Sequence, residues 1–184
     1  MTTALSPYRV LVAPGLENSG PGHWQSRWQR LYPSFQRVEQ HDWSEPDLPT
    51  WSGRVDAVRQ VERRPTLIVA HSFGCLAAVR SVARDPGNIA GLLLVAPADP
   101  DKFGVADLLP HDALPCPSIM IASANDPWMT LAGARDWAGR WGSTFVEAGE
   151  LGHINAESGL GDWLFGQQQL QALAERAHNA LSAY

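Results

Sequence analysis

The chain has 184 residues and a 45% share of hydrophobic residues, which is enough material for the core of one domain, and we predict a single domain over residues 1–184. Its formal net charge is −5, and its 14 basic residues are scattered along the chain. This charge distribution argues against a partner that is nucleic acid or an anionic membrane. No apolar stretch approaches the length of about 18 residues that a membrane span needs.

The cysteine content indicates a reducing compartment. Cys75 and Cys116 are too few for a disulfide framework, and neither belongs to a CxxC or Cys/His spacing typical of zinc sites. The N-terminus also lacks the charged segment and apolar run of a secretory signal. We therefore expect a cytoplasmic protein.

Short apolar runs alternate with amphipathic stretches, a pattern typical of βαβ units. The predicted strands cover residues 9–13, 35–39, 66–70, 89–95, 118–122 and 144–147. The predicted helices cover residues 24–32, 50–62, 73–85, 131–141 and 168–182. The third and fourth strands are continuously apolar, which predicts central strands covered on both faces. The predicted fold class is α/β, a mostly parallel sheet of about six strands flanked by helices, with functional residues just after the strands.

Ser72 lies in a tight turn between the third predicted strand and the helix that follows it. Such a turn is the setting of a nucleophile elbow, in which the residues two before and two after a strained serine are small. Here these residues are Ala70 and Gly74, so the usual G-x-S-x-G pattern is changed by one methyl group. We predict Ser72 as a nucleophile. The alternative is that Ser72 only caps the following helix.

A serine nucleophile on this kind of turn needs an acid and a base, in the order Ser, Asp, His. His153 follows the last predicted strand in a glycine-bearing loop and is the predicted general base, whereas His71 is expected to point away from the turn. Asp126 follows the strand at 118–122 and is the predicted acid. Asp99, after the preceding strand, is the competing candidate, and either aspartate could instead form an Asx turn.

The glycine- and proline-rich segment 14–23, after the first strand, completes the predicted site. Backbone N–H groups of Leu16 and Phe73 are predicted to hold the oxyanion of a tetrahedral intermediate. Trp24 and Trp128 are expected to line an acyl pocket. The segment contains neither GxxxxGK[ST] nor GxGxxG, so its glycines do not indicate nucleotide binding.

With these parts assembled, the chain resembles the retinoblastoma-binding-protein-9/YdeN family of small serine hydrolases in the α/β-hydrolase superfamily. The resemblance covers nearly the full length. It rests on Val-Ala-Pro-Gly-Leu at 12–16, Gly-His-Trp at 22–24, Ala-His-Ser-Phe-Gly at 70–74, Asn-Asp-Pro at 125–127 and Gly-His-Ile-Asn at 152–155. It implies an α/β-hydrolase fold without a large lid domain and a triad of Ser72, Asp126 and His153. The Leu-x-Cys-x-Glu retinoblastoma-binding pattern is absent, so pocket-protein binding is not implied.

These residues predict acyl transfer from a small carboxylic ester or amide to water, through an acyl-enzyme and without a metal or organic cofactor. Only about 22 residues separate the strands at 89–95 and 118–122, which leaves little room for a lid. The expected partner is a small molecule, and the expected state is a monomer or small homo-oligomer. The alternative is a noncatalytic α/β-hydrolase-like module that binds a ligand or a protein in the same cleft.

Overall fold

Six parallel strands form one sheet in the computed structural model, which describes residues 2–181. The strands are β1 (Arg9–Ala13), β2 (Gln36–Arg37), β3 (Thr66–His71), β4 (Ile89–Val95), β5 (Ser118–Ala122) and β6 (Thr144–Glu147). Their order in the sheet is β2-β1-β3-β4-β5-β6, and every neighbouring pair is parallel. The α/β class and the central position of β3 and β4 are thereby confirmed. The strand predicted at 35–39 is shorter in the structure, because this edge segment pairs with β1 through only two residues.

The helices are α1 (Thr2–Leu5), α2 (Trp24–Leu31), α3 (Leu48–Gln60), α4 (Phe73–Arg84), α5 (Leu131–Trp141) and α6 (Leu164–Leu181). Helix α1 was not predicted. Helix α3 begins two residues before the predicted start, because the Asp47 side chain accepts the Thr50 N–H and caps it. Helix α6 begins four residues before the predicted start, and its predicted end at Ser182 lies outside the described residues.

Two apolar layers cover the sheet, one on each face. In β3, Ile68 and Ala70 belong to one layer while Leu67 and Val69 belong to the other, because successive side chains of a strand point to opposite faces. The first layer includes residues of α3, α4 and α5, and the second includes residues of α2 and α6. This two-sided burial explains why the central strands are apolar at every position.

The parallel strands bring the loops that follow them to one edge of the sheet. This edge carries the segment after β1, the Ser72 turn after β3, the Asp126 loop after β5 and the His153 loop after β6. The segment between β4 and β5 contains a single short 3₁₀ turn, Ala106–Leu108. None of the helices within residues 2–181 combines the length and the apolar character needed to cross a membrane.

Candidate active site

The turn between β3 and α4 holds Ser72 in a backbone conformation that non-glycine residues rarely adopt, with φ 53° and ψ −126°. The neighbouring glycines allow this turn to approach the loop after β1. A Cβ atom on Gly74 would lie 2.3 Å from the Pro14 carbonyl oxygen, and one on Gly15 would lie 2.6 Å from the Ser72 Cβ. Ala70 is fully buried, so the core accommodates the methyl group that replaces the usual glycine at this position. The local backbone therefore has the conformation and the small neighbours that a nucleophile elbow requires.

A chain of hydrogen bonds joins the three predicted triad residues. His153 Nε2 lies 2.9 Å from Ser72 Oγ, and His153 Nδ1 lies 3.0 and 2.9 Å from the two carboxylate oxygens of Asp126. The Asp126 side chain is only 2% exposed and also accepts the Trp128 N–H at 2.9 Å. When Nδ1–H donates to this carboxylate, Nε2 is left free to accept the serine proton.

The structure separates Asp99 from this chain of hydrogen bonds. Its carboxylate accepts the Asp101 N–H at 3.1 Å and lines a different hollow, together with residues of α5. This is the geometry of an Asx turn, which the sequence left open for both aspartates. Of the two candidates, Asp126 is the one that contacts His153.

Two residues that the sequence analysis did not select join the Asp126 loop to the His153 loop. Asn125 Oδ1 accepts the Gly152 N–H at 2.7 Å and the Ser123 O–H at 2.9 Å. Ser123 Oγ in turn accepts the Leu151 N–H at 2.9 Å. These bonds hold the Asp126 loop and the His153 loop together. The Asn-Asp-Pro segment was part of the noted resemblance, but its spacing gave no sign of this bridging.

His71 does not point away from the turn, and that expectation was wrong. Its Nε2–H donates to the His153 carbonyl at 2.9 Å, and the centroids of the two rings are 4.9 Å apart. The centroid of the His23 ring lies 4.7 Å from that of the His71 ring, and His23 Nδ1 accepts the Gln25 N–H at the start of α2. Burial lowers the pKa of His71 well below its usual value. Burial, with the nearby charges of Arg37 and His153, lowers the pKa of His23 to about 3.

The depressed pKa of His23 should make the fold less stable in acid. The unfolded chain binds this proton below about pH 6.5 while the folded chain does not, so stability is lost as the pH falls from 6.5 toward 3. At pH 5 the loss from His23 alone should be about 2 kcal/mol relative to pH 7.5. Urea unfolding at the two pH values measures it. The variant His23→Asn keeps an N-cap side chain and should remove this share of the pH dependence; an unaltered dependence would show that His23 protonates in the folded state.

The two backbone positions expected to bind an oxyanion lie near Ser72, Leu16 in the loop after β1 and Phe73 directly after the serine. Leu16 lines the same cleft as Ser72. Phe73 is the first residue of α4, where an amide N–H has no acceptor within its own helix. The Phe73 side chain is fully buried against Trp51 and Phe103, so a role of this residue in binding an oxyanion would fall to its backbone N–H.

The two predicted pocket tryptophans have different surroundings. Trp128 lines the cleft, is 50% exposed, and its ring centroid lies 6.3 Å from that of His153. Trp24, in contrast, is buried behind the site, where it packs against Trp28 and Trp163. Trp24 and Trp28 lie four residues apart on the same face of α2, and both side chains belong to the second apolar layer. The expectation that Trp24 lines an acyl pocket is therefore corrected.

The cleft beside Ser72 has a volume of about 350 Å³, within the range of small-molecule sites. Its apolar lining consists of Leu16, Ala98, Phe103, Trp128 and Ala156. Its lining includes two glutamates, Glu17 and Glu157, and no lysine or arginine. Within residues 2–181, no group of three or more His, Cys, Asp and Glu side chains could hold a metal ion. The cleft therefore suits a small, partly apolar molecule.

Comparison with known proteins assigns the chain to a family. The family described as "Serine hydrolase" matches residues 10–172. The chain belongs to the serine hydrolase family. This serine hydrolase is 39% identical to a YdeN-like hydrolase from Pectobacterium atrosepticum, with a TM-score of 0.92 over 96% of this chain and 95% of that one. The predicted relationship to the YdeN family is thereby confirmed.

More distant structures show the fold alone. The ydeN gene product from B. subtilis is 18% identical to this serine hydrolase, with a TM-score of 0.71 over 89% of this chain and 97% of that one. The alpha/beta hydrolase domain-containing protein 10 from mouse is 14% identical, with a TM-score of 0.69 over 96% and 91%. The predicted α/β-hydrolase fold is confirmed. No curated protein matches the chain.

Proposed function

We propose that this serine hydrolase cleaves a small carboxylic ester or amide, with Ser72 as nucleophile, His153 as general base and Asp126 as the acid that orients the base. The observation that carries the proposal is the unbroken chain of hydrogen bonds from Asp126 through His153 to Ser72. The strained elbow beneath Ser72 supports it, because strain of this kind is found at functional sites. Membership of the family supports the reaction class.

In the first half of the reaction, Ser72 Oγ attacks the substrate carbonyl carbon while His153 Nε2 takes the serine proton. The negative charge moves to the carbonyl oxygen, which accepts hydrogen bonds from the N–H groups of Leu16 and Phe73 in this proposal; the position of Leu16 in the cleft and of Phe73 at the start of α4 supports that role. The bond to the leaving oxygen or nitrogen then breaks, and His153 returns the proton to that atom. The product is an acyl ester on Ser72 Oγ.

In the second half, water replaces the leaving group. His153 Nε2 takes a proton from the water as its oxygen attacks the acyl carbon, and the bond from that carbon to Ser72 Oγ breaks. The proton returns to Ser72, and a carboxylic acid leaves. Throughout, the Asp126 carboxylate accepts the Nδ1–H of His153, keeps the proton on that nitrogen and stabilises the imidazolium that forms.

The thiols do not compete with this serine. Cys75 is fully buried three residues after Ser72, and burial raises the pKa of its thiol. Burial also raises the pKa of the Cys116 thiol to about 12. Both cysteines are free, which supports a cytoplasmic location. Because a thiol acts as a nucleophile only when ionised, these two are structural residues.

The dimensions and charges of the cleft support a small substrate without a negative group. Its apolar lining suits a short or aromatic acyl chain, and Trp128 offers a ring at the cleft surface. Glu17 and Glu157 make no ion pair with another described residue. An acyl group that carries a carboxylate would therefore be repelled.

A fluorophosphonate probe and a panel of p-nitrophenyl esters test the proposal. The probe should form an adduct that mass spectrometry locates on Ser72, and short neutral acyl esters should be hydrolysed. A half-ester with a terminal carboxylate should react about 2- to 5-fold more slowly than its neutral counterpart, and the difference should shrink at high salt. Absence of both the adduct and ester turnover would favour the alternative, a noncatalytic module that binds a ligand or a protein in this cleft.

A further inference from the structure

The residue after the proposed general base has a strained backbone. Ile154 has φ 47°, a left-handed conformation that is unfavourable for a β-branched side chain. It is also fully buried, so the loop cannot relax into solvent there. Such a conformation persists only where the surrounding structure holds it. The turn formed by His153 and Ile154 must therefore be held by groups packed around it.

Two buried side chains donate to the two consecutive carbonyl groups of this turn. His71 Nε2–H donates to the His153 carbonyl at 2.9 Å, and Trp24 Nε1–H donates to the Ile154 carbonyl at 2.8 Å. His71 ends β3, whereas Trp24 begins α2. The turn is thus attached both to the strand that carries the nucleophile and to a helix packed on the sheet.

We propose that His71 and Trp24 are positioning residues that hold the His153–Ile154 turn, so that the His153 imidazole stays within reach of Ser72. This inference rests on the proposed function. Neither side chain touches the reacting atoms in the mechanism; each acts through the backbone of the base loop. His71 also precedes Ser72 in the chain, so its backbone helps to position the nucleophile. One residue therefore sets the place of the nucleophile through its backbone and the place of the base through its side chain.

Trp28 supplies a matched control for Trp24. It lies one turn further along α2, is equally buried in the same tryptophan cluster, and donates its Nε1–H at 2.8 Å to the Asp162 carbonyl. The substitutions Trp24→Phe and Trp28→Phe each remove one indole N–H and leave one carbonyl without that donor. The Asp162 carbonyl also accepts a side-chain N–H of Gln167, so Trp28→Phe should lose less thermal stability than Trp24→Phe. A purely structural contribution should nevertheless leave kcat alike in the two variants at a temperature where both are folded.

The expected result is a difference in kcat between the two folded variants. Trp24→Phe should lower kcat for a p-nitrophenyl ester, and the rate of fluorophosphonate labelling, by about 10- to 100-fold with KM nearly unchanged, because a small misplacement of a catalytic group costs about that much. Trp28→Phe should leave kcat within about 2-fold of the parent. Equal losses of kcat in both variants, or no loss in Trp24→Phe, would overturn the role of Trp24.

The role of His71 is tested by a conservative rescue. His71→Gln retains a side-chain N–H donor and should keep most of the parent kcat, whereas His71→Leu has no donor and should show the same kcat-specific loss as Trp24→Phe. Equal activity of the two His71 variants would overturn the role of His71. If Trp24→Phe does not fold, these two variants still test whether a donor to the His153–Ile154 turn is needed for activity. A parent enzyme that neither reacts with the probe nor hydrolyses esters would instead refute the proposed function itself.

Discussion

Ser72→Ala should abolish fluorophosphonate labelling and lower kcat for esters by about 10⁶-fold, the size of loss that removal of the nucleophile causes in serine proteases. The reason is that, among the described residues, Ser72 supplies the hydroxyl that hydrogen-bonds to the His153 ring, and the nearby Cys75 thiol is buried and has a raised pKa. Turnover measured with a chromogenic ester, together with probe labelling, checks the result.

The same variant distinguishes catalysis from helix capping. The Ser72 side chain makes no capping hydrogen bond to α4, so its removal should leave the helix and the unfolding temperature essentially unchanged. Alanine also keeps a Cβ in the strained turn, which means that the backbone cost at this position is the same in both proteins. The exposed Ser34→Ala is a suitable control and should label normally. Hydrolysis at the parent rate by Ser72→Ala would contradict the whole mechanism.

Asp126→Asn should lower kcat by about 10⁴-fold, which corresponds to about 5 kcal/mol of activation free energy. Asparagine has nearly the shape of aspartate and can still accept the Trp128 N–H, so the loop geometry should be kept. Its amide, however, can donate to His153 Nδ1 and move the ring proton to Nε2. In that tautomer the imidazole cannot accept the proton of Ser72. Steady-state kinetics at pH 7, with thermal unfolding as a folding check, measure the loss.

Asp99→Asn is the matched control for this substitution. An asparagine at position 99 can still accept the Asp101 N–H and keep the Asx turn, so kcat should stay within about 2-fold of the parent. A large loss confined to the Asp99 variant would transfer the proposed role to Asp99. Small losses in both variants would mean that His153 needs no carboxylate partner, contrary to the proposed triad.

Much of the architecture could be predicted from local pattern. The apolar runs of β3 and β4 indicated central strands because a strand covered on both faces has no position that favours a polar residue. The tight junction of β3 with α4 indicated Ser72 through another local requirement, because a turn of this kind needs small neighbours. The backbone at Gly74 lies too close to the Pro14 carbonyl for any side chain to fit. Such requirements act within a few residues, so a single sequence displays them.

Only the tertiary structure decided which groups far apart in the chain come into contact. The sequence by itself determined the α/β class, the central strands and the elbow serine, since each depends on neighbouring residues. Other features depend on where separate loops meet: the contact of His153 with Asp126 rather than Asp99, the burial of Trp24, and the contact of His71 with the His153 loop. Trp24 and Ile154, for example, are 130 positions apart and joined by one hydrogen bond. Such a bond produces no periodic pattern of apolar residues in the sequence, because it results from the packing of helices on the sheet rather than from local backbone preference.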